Sequence, residues 1–324
     1  MTGNMNVARY YHTTTVILNG SLLTTGGYRG NTTLNSAELY DPLTGTWTLT
    51  GNMSAARRYH AATLLPNGLV LVTGGLNLDS ILNSAELYNP TTGTWTMAGS
   101  MNSIRRYHTS TLLPNGLVLV TGGMNNSTYQ NTTELYNSST NTWTTTSSMN
   151  KKRGYHRATV LANGYVLIVG SYNGSTNYNS AELYDPSTGA WTSAGYMMSA
   201  RGQHAISALM DGNVLAIGGF NELGYVNGVE IYNPSTNNWT VTANLSVARR
   251  DLTASTLPDG TVIVTGGYNG SVVLKSVELY NPSTGTWSSE TSMNVARLGH
   301  TASLLNNGTV LCVNGYSKTT ELYE

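Results

Sequence analysis

The sequence is poor in the residues that mark several common classes of protein. It has one cysteine among 324 residues, so it forms no intrachain disulfide and no cysteine-rich metal site. Charged residues make up only 10% of the chain and the formal net charge is zero. Nucleic-acid binding needs a clustered excess of lysine and arginine, which this composition does not supply. No apolar run approaches about 18 residues, so we expect no membrane-spanning helix.

Tryptophan is also scarce, but its positions are regular. The six tryptophans follow one another at intervals of 48 residues, at Trp47, Trp95, Trp143, Trp191, Trp239 and Trp287. A constant interval indicates one structural unit copied in tandem, and an interval of about 50 residues is typical of propeller blades. Units of this length cannot each bury a core alone and must share faces with their neighbours. The spacing therefore predicts a single repeat domain.

The second repeat shows the expected anatomy of one unit. Strands are predicted over 61–65 and 69–73, joined by Asn67-Gly68, a strong signal for a tight hairpin. The second strand ends at paired glycines, which allow close backbone approach or positive φ. A third strand is predicted over 85–88, and a turn with Asn-Pro and Gly leads to a fourth that starts at Trp95. Four antiparallel strands in a unit make a propeller blade. We expect the tryptophans and the third-strand tyrosines to be core.

The order Arg-x-x-His, apolar strand, Gly-Gly, Glu-Leu-Tyr, Asp/Asn-Pro-x-Thr-Gly and Trp resembles the kelch repeat, and it recurs over essentially the whole chain. This resemblance implies an all-β protein, a kelch-type β-propeller, in which the first strand of each blade is innermost and the tryptophan strand outermost. We expect one domain over 1–324, with repeats that begin near 5, 53, 101, 149, 197, 245 and 293.

Two charged columns give the number of blades. An arginine opens seven repeats, at Arg9, Arg57, Arg105, Arg153, Arg201, Arg249 and Arg297. A glutamate also recurs seven times, at Glu38, Glu86, Glu134, Glu182, Glu230, Glu278 and Glu321. We predict a closed ring of seven four-stranded blades, the seventh lacking most of its outer strand because the sequence ends before a seventh tryptophan. Residues 1–4 align with 49–52 and are expected to complete that blade in part. The alternative is six blades with an appended hairpin.

The same columns have a structural and a functional interpretation. We favour one partly buried Arg–Glu pair per blade or blade junction, which fixes geometry more than it adds stability. The alternative is a ring of guanidinium groups at the channel mouth that binds a carboxylate.

A histidine column recurs at His12, His60, His108, His156, His204 and His300, and Leu252 takes its place in the sixth repeat. Histidines about one blade apart are too distant to share a metal ion, which needs ligands about 2.0–2.2 Å away. Leu252 favours packing and hydrogen bonding for this column. We therefore predict no metal and no cofactor.

Function is expected where the repeats differ, on the face that carries the loops after Gly-Gly and the entrances to the first strands. Two residues after the arginine stand Tyr11, Tyr59, Tyr107, Tyr155, Gln203 and Asp251, followed by Gly299. After Gly-Gly or the dipeptide that aligns with it stand Tyr28, Leu76, Met124, Phe220, Tyr268 and Tyr316, with Tyr172 following Gly170-Ser171. Arg153, with Lys151, Lys152 and Arg157, adds a predicted basic patch. Aromatic side chains with one polar group suit peptide or sugar recognition; the alternative is that they only plug the channel.

These positions predict a non-catalytic binding module that presents one loop face to a protein or peptide partner, as in kelch propellers that bind protein segments. A carbohydrate-binding propeller is the first alternative. The second is an enzyme: kelch-like propellers resemble copper-radical galactose oxidases, whose site needs a cysteine crosslinked to tyrosine, with histidine and tyrosine ligands. Here Cys312 lies within an apolar strand and is predicted to be buried and inert. Sequons such as Asn31-Thr32-Thr33 favour an extracellular location if the chain belongs to a longer precursor; otherwise we expect a cytoplasmic one.

Overall fold

The computed structural model describes residues 2–78, 80–315 and 317–323, and its regular structure is entirely β-strand. The described part of the chain contains no helix long and apolar enough to cross a membrane.

The strands fall into seven consecutive groups, here called blades one to seven. Blades one and two comprise β1 Thr13–Val16, β2 Leu22–Thr25, β3 Tyr28–Arg29, β4 Thr32–Thr33, β5 Ala37–Asp41, β6 Thr46–Thr50, β7 Ala61–Leu64, β8 Val70–Thr73, β9 Leu76–Asn77, β10 Ser80–Ile81, β11 Ser84–Asn89 and β12 Thr94–Ser100. Blades three and four comprise β13 Thr109–Leu112, β14 Val118–Thr121, β15 Thr133–Asn137, β16 Thr142–Thr146, β17 Arg157–Val160, β18 Val166–Tyr172, β19 Asn177–Asp185 and β20 Ala190–Tyr196.

The remaining three blades follow the same order. Blade five comprises β21 Ala205–Ala208, β22 Val214–Ile217, β23 Phe220–Asn221, β24 Gly224–Tyr225, β25 Val229–Asn233 and β26 Asn238–Thr242. Blade six comprises β27 Thr253–Thr256, β28 Val262–Thr265, β29 Val277–Asn281 and β30 Thr286–Glu290, and blade seven comprises β31 Thr301–Leu304, β32 Val310–Val313 and β33 Thr320–Tyr323.

Blades one to six are four-stranded antiparallel sheets, and blade seven has three strands among the described residues. In blade one the strand order is β1-β2-β5-β6, with Tyr40 opposite Trp47 between the two outer strands. The predicted order, with the first strand innermost and the tryptophan strand outermost, is confirmed. The innermost strands contact one another around the ring, and β31 returns to β1. The ring is thus closed with seven blades, rather than six with an appended hairpin.

The core lies between blades, where the second strands are continuous apolar runs buried on both faces. The third-strand tyrosines of blades one to six are at most 1% exposed, as predicted. The prediction for the tryptophans needs correction: Trp47 is buried, but the other five are partly exposed. They lie on the outermost strands, and the outer edge of these strands faces solvent. Each of these tryptophans therefore covers the apolar cluster at a blade junction from outside and stays partly exposed.

Each blade contains one ion pair between the arginine and glutamate columns. The pairs lie within blades, with nitrogen–oxygen distances of 2.6–2.9 Å, and the arginine side chains are fully buried. Arg57 also donates to the carbonyls of Gly74 and Ser84, while Glu86 accepts the backbone N–H groups of Ser54 and Ala55. The structural interpretation of these columns is confirmed, because the guanidinium groups bind inside the blades.

The paired glycines are required by close contact between blades. Gly74 has φ of +57°, and a Cβ atom there would lie 2.5 Å from the carbonyl oxygen of Arg105 in the next blade. The next glycine, Gly75, donates its N–H to the same carbonyl at 2.8 Å. Both predicted reasons for the glycines, positive φ and close approach, therefore apply here.

The N-terminal segment joins blade seven to blade one. The N–H of Met5 donates to the carbonyl of Lys318 at 2.9 Å, and the Thr320 hydroxyl donates to the carbonyl of Gly3. On the other side, Thr2 Oγ1 lies 2.8 Å from the Tyr40 hydroxyl. Thr2 thus makes the contact that the end of an outer strand makes at three other junctions, where Thr50 meets Tyr88, Thr146 meets Tyr184 and Thr242 meets Tyr280.

Candidate functional site

The channel mouth is built from seven backbone positions in the left-handed region. The residues two places after each buried arginine have φ between 52° and 60°, at Tyr11, Tyr59, Tyr107, Tyr155, Gln203, Asp251 and Gly299. Six of the seven are not glycine, and bulky residues rarely adopt this conformation. At four of the seven junctions a backbone hydrogen bond links these residues between blades, as from the Tyr59 N–H to the Tyr11 carbonyl at 3.1 Å. These residues line the mouth of a cavity of about 340 Å³ on the channel axis.

Four tyrosines form an arc over blades one to four, here called the tyrosine arc: Tyr11, Tyr59, Tyr107 and Tyr155. Successive ring centroids are 4.3, 4.5 and 3.9 Å apart, and the last pair is stacked at 25°. Burial, together with the neighbouring hydroxyls of Tyr107 and Tyr11, raises the pKa of Tyr59. Burial and the Tyr107 hydroxyl likewise raise the pKa of Tyr155, so Tyr59 and Tyr155 stay neutral at physiological pH.

The opposite side of the mouth is polar and charged. Arg250 donates from Nη1 to Oε1 of Gln203 at 2.6 Å and lies 3.8 Å from the Asp251 carboxylate. Burial raises the pKa of Asp251, and Arg250 and Arg157 act against that rise. Arg157 projects from the start of β17 into the cavity, and burial lowers its pKa. Among the described residues its side chain has no hydrogen bond and no ion pair, although the Asp251 charge acts on it.

A ring of buried histidines lies beneath the mouth. Each is at most 7% exposed. In five of the six, Nε2 is within reach of at least one threonine hydroxyl of the preceding blade, as in His60 with Thr13 at 2.9 Å and Thr25 at 3.0 Å. Burial lowers the pKa of His12, His108 and His300 to about 3. His204 differs: neither of its ring nitrogens has a partner among the described residues. The residue of the preceding blade that faces His204 is Arg157, whereas the other histidines of the ring face a threonine or an alanine at that position.

The second predicted column lies farther from the axis. Tyr28, Tyr172, Phe220 and Tyr268 do not line the central cavity. Their backbones form isolated β-bridges with the residues just after the buried arginines. The Arg58 guanidinium lies 3.9 Å from the centroid of the Tyr28 ring, and the Arg250 guanidinium lies 5.7 Å from the centroid of the Tyr268 ring. This outer ring therefore combines aromatic faces with cations. Tyr316, predicted in the same column, lies outside the described residues.

Arg153 and the predicted basic patch need correction. Arg153 is fully buried, with Nε 2.9 Å from Glu182 and Nη1 2.8 Å from the Gly170 carbonyl, so its side chain does not reach the mouth. Lys151 and Lys152 are exposed on the connection before it, whereas Arg157 faces the channel. The four cations therefore do not form one patch, because Arg153 belongs to the column of arginines that form ion pairs inside the blades. Arg157 was identifiable from the sequence as the charged residue in a column otherwise made of threonine and alanine.

Comparison with known proteins agrees with this architecture. The model of the kelch motif matches residues 9–54, 57–102, 105–150, 153–198, 207–246 and 249–294, which covers the first six blades. The chain belongs to the kelch-repeat family. No curated protein sequence matches this kelch chain significantly. Among solved structures, a fungal alcohol oxidase of the AA5 family, in complex with copper, matches with a TM-score of 0.77 at 20% identity, covering 95% of this chain and 70% of that chain. At this identity the likeness concerns the fold.

The residues of this propeller do not fit the copper site that an oxidase resemblance implies. Cys312 is buried in β32, with Sγ 3.6 Å from the Thr265 hydroxyl, and burial raises its pKa to about 11. It packs in the cluster between blades six and seven and does not line the channel mouth. Across residues 2–78, 80–315 and 317–323, no group of three or more His, Cys, Asp or Glu side chains is placed to hold a metal ion.

Proposed function

We propose that the kelch propeller is a binding module whose channel-mouth face takes a segment of a partner protein or a peptide. The observation that carries this proposal is the asymmetry of the mouth. The tyrosine arc offers flat apolar area on one side, and Arg157, Gln203 and Asp251 offer polar groups on the other. Rigid aromatic anchors beside a few placed polar groups are typical of recognition surfaces.

The charges at this face favour a segment that carries a carboxylate. Arg58, Arg106 and Arg250 lie around the mouth, and Arg157 lies inside it without a partner among the described residues. Asp251 carries the one carboxylate among the residues that line the cavity, and Glu222, in a loop on the same face, already accepts the backbone N–H of Asn177. A guanidinium binds a carboxylate through two parallel hydrogen bonds. A side chain or terminus of this kind, entering beside the tyrosine arc, would meet Arg157.

Two other functions are compatible with the fold, because one fold hosts many functions. Sugar rings also stack on tyrosines, so a glycan is the second candidate ligand, favoured by the stacked arc. The alcohol oxidase shares the fold with this chain, but the position of Cys312 gives no support for its copper chemistry here.

Peptide and glycan arrays probed with the purified chain test the proposal. We expect the double variant Tyr59→Ala/Tyr107→Ala to lose at least about tenfold in affinity for the ligands found, since it removes two aromatic anchors. Arg157→Thr, which installs the residue found at the same position in four other blades, should weaken acidic ligands selectively. The control is Leu43→Ala, in a fully exposed turn on the opposite face. Equal binding by the tyrosine variant and the control would exclude the channel mouth as the site.

A further inference from the structure

The channel cavity holds two opposite charges that do not pair with each other. The described residues that line it include one cationic side chain, Arg157, and one carboxylate, Asp251, besides five histidines. Burial holds the pKa of those histidines far below its ordinary value, so they are neutral. The charges of Arg157 and Asp251 act on each other, yet no ion pair or hydrogen bond joins them among the described residues. The cavity therefore presents a separate cation and a separate anion.

The Asp251 carboxylate has acceptor capacity that the described protein does not use. Its oxygens accept no hydrogen bond from the described residues, and their one ion-pair contact there is with Nε of Arg250, 3.8 Å from Oδ2. The side chain is 21% exposed and forms part of the cavity wall. A carboxylate offers about four acceptor sites, so Asp251 can accept an ammonium group from the channel.

Arg250 is held outside the cavity by neighbouring side chains. Its Nη1 donates to Oε1 of Gln203 at 2.6 Å, and its guanidinium lies 5.7–6.0 Å from the ring centroids of Phe220, Tyr225 and Tyr268. Cation–π contacts of this kind stabilise a guanidinium among aromatic rings. Gln203 itself lines the cavity, and its Nε2 has no partner among the described residues. The amide N–H groups of Gln203 can therefore donate to a ligand together with the guanidinium inside the cavity.

These groups match a ligand that carries an ammonium and a carboxylate close together. A charge taken out of water is stabilised by a counter-charge and by hydrogen bonds, which Arg157 lacks among the described residues and Asp251 has only in part. A ligand with a carboxylate alone would satisfy Arg157 but add a like charge near Asp251. We propose that the cavity binds an ammonium–carboxylate pair, with the carboxylate on Arg157 and Nε2 of Gln203 and the ammonium on Asp251. This inference rests on the proposed function of the channel mouth and specifies the end of the ligand that enters it.

The size of the cavity limits the buried part of the ligand. A cavity of about 340 Å³ has room for about ten water molecules, which corresponds to one or two amino-acid residues. Two sources supply the charged pair at this size: a free α-amino acid, and the first residue of a peptide when that residue is Asp or Glu and its side chain supplies the carboxylate. In both cases an adjoining apolar group can pack against the tyrosine arc.

Isothermal titration calorimetry of the intact chain with two probes, L-phenylalanine and the dipeptide amide Asp-Phe-NH2, tests this inference. Each probe has two matched controls: its N-acetylated form lacks the ammonium, and L-phenylalaninamide or Asn-Phe-NH2 lacks the carboxylate. We expect saturable binding of at least one probe, and at least about tenfold weaker binding of both its controls. Binding of phenylalanine alone assigns a free amino acid as the ligand, and binding of the dipeptide alone assigns a peptide N-terminus. Equal binding of a probe and its acetylated control, or no saturable binding of either probe up to about 10 mM, overturns the inference.

Two substitutions test which side chain holds which charge. Asp251→Asn keeps the size of the side chain, and Asn tolerates the left-handed backbone there, where φ is 52°. We expect this variant to bind the probe no better than the unaltered chain binds the acetylated control. Arg157→Thr should lose the difference between the probe and its control without the carboxylate, and Leu43→Ala should bind as the unaltered chain does. If Asp251→Asn binds the probe as well as the unaltered chain, Asp251 does not hold the ammonium and the inference is overturned.

The proposed function and this inference can fail separately. Peptides from the arrays that need the tyrosine arc, but bind equally well with a free and an acetylated N-terminus, would support the proposed function and overturn the inference. Phenylalanine binding that needs both Arg157 and Asp251, with no peptide bound, would support the inference and exclude a protein segment as the ligand.

Discussion

In the histidine column, the type of residue at each position matches the side chains that it faces in the neighbouring blade. His156 has two threonine hydroxyls of blade three within 3.0 Å of Nε2, those of Thr109 and Thr121. In blade six the column holds Leu252, which packs in an apolar cluster that includes Ala205 and Ile217 of blade five. A buried imidazole is stabilised where a hydroxyl meets it, and an apolar side chain is preferred where none does.

His204 is the exception, and it leads to a stability prediction. It is fully buried, but it faces Arg157 and Val169 in place of two threonines, and neither ring nitrogen has a partner among the described residues. An unsatisfied buried polar group costs about 1–3 kcal/mol. We therefore expect His204→Leu to raise the free energy of unfolding at pH 7 by about 1 kcal/mol or more, measured by urea denaturation.

His60→Leu is the matched control for that substitution. His60 occupies the same column, but its Nε2 has Thr13 and Thr25 as partners. We expect this variant to lose about 1 kcal/mol of stability, because a satisfied hydrogen bond is removed. Equal changes in the two variants would show that the threonine contacts do not decide the preference for histidine.

At the scale of elements, the Arg–Glu pair connects the parts of a blade. In blade three, Arg105 donates to the carbonyls of Gly122 and Thr132, at the end of the second strand and the start of the third. Glu134 accepts the N–H groups of Asn102 and Ser103, on the connection that arrives from blade two. One pair thus links three segments of backbone: the end of the second strand, the start of the third and the connection from the preceding blade.

Removing one charge of this ion pair should lower the stability of the protein more than removing both charges. We expect Arg105→Met to destabilise the protein by about 3–5 kcal/mol, because Glu134 would remain buried without a counter-charge. The double variant Arg105→Met/Glu134→Gln should be less destabilised than the single one. The control is Arg106→Met, the next residue, which is only partly buried and forms no ion pair in the described chain. Thermal or urea unfolding measures all three; a double variant less stable than the single would contradict this account.

At the scale of the whole molecule, the six buried histidines predict acid sensitivity. The pKa of His12, His108 and His300 is about 3 in the fold against 6.5 ordinarily, and burial also holds the pKa of His60, His156 and His204 well below that value. Because the folded state keeps these groups neutral, stability is complete above pH 6.5 and is lost as pH falls towards 3. Each histidine contributes about 1.4 kcal/mol per pH unit in this range.

Circular dichroism melts at pH 7, 6 and 5 measure this effect. We expect Tm to fall steeply over this interval, and the fall to be shallower in His204→Leu, which has one fewer proton to bind on unfolding. A Tm that stays constant down to pH 5 would mean that the ring is protonated in the folded protein.

The repeat made much of the fold readable from sequence alone. The 48-residue interval, the Asn-Gly turns and the apolar second strands are local signals that recur in register, and they predicted tandem blades. The order of strands in a blade was implied by the resemblance to the kelch repeat, and the seven arginines and seven glutamates of the charged columns gave the number of blades. The Arg–Glu pairs were also readable, since one charge of each sign in every repeat calls for a constant partner. The position of the tyrosine arc at the mouth followed from its place just before the first strand.

The tertiary structure decided what depends on neighbours that are distant in sequence. Arg153 and Arg157 are four residues apart, yet one is buried against Glu182 and the other faces the channel, because the backbone turns through a left-handed residue, Tyr155, between them. The contrast between the tyrosine arc and the charged side of the mouth appears only when the ring closes. Sequence periodicity fixes what the blades share, whereas the sites arise where adjacent blades differ.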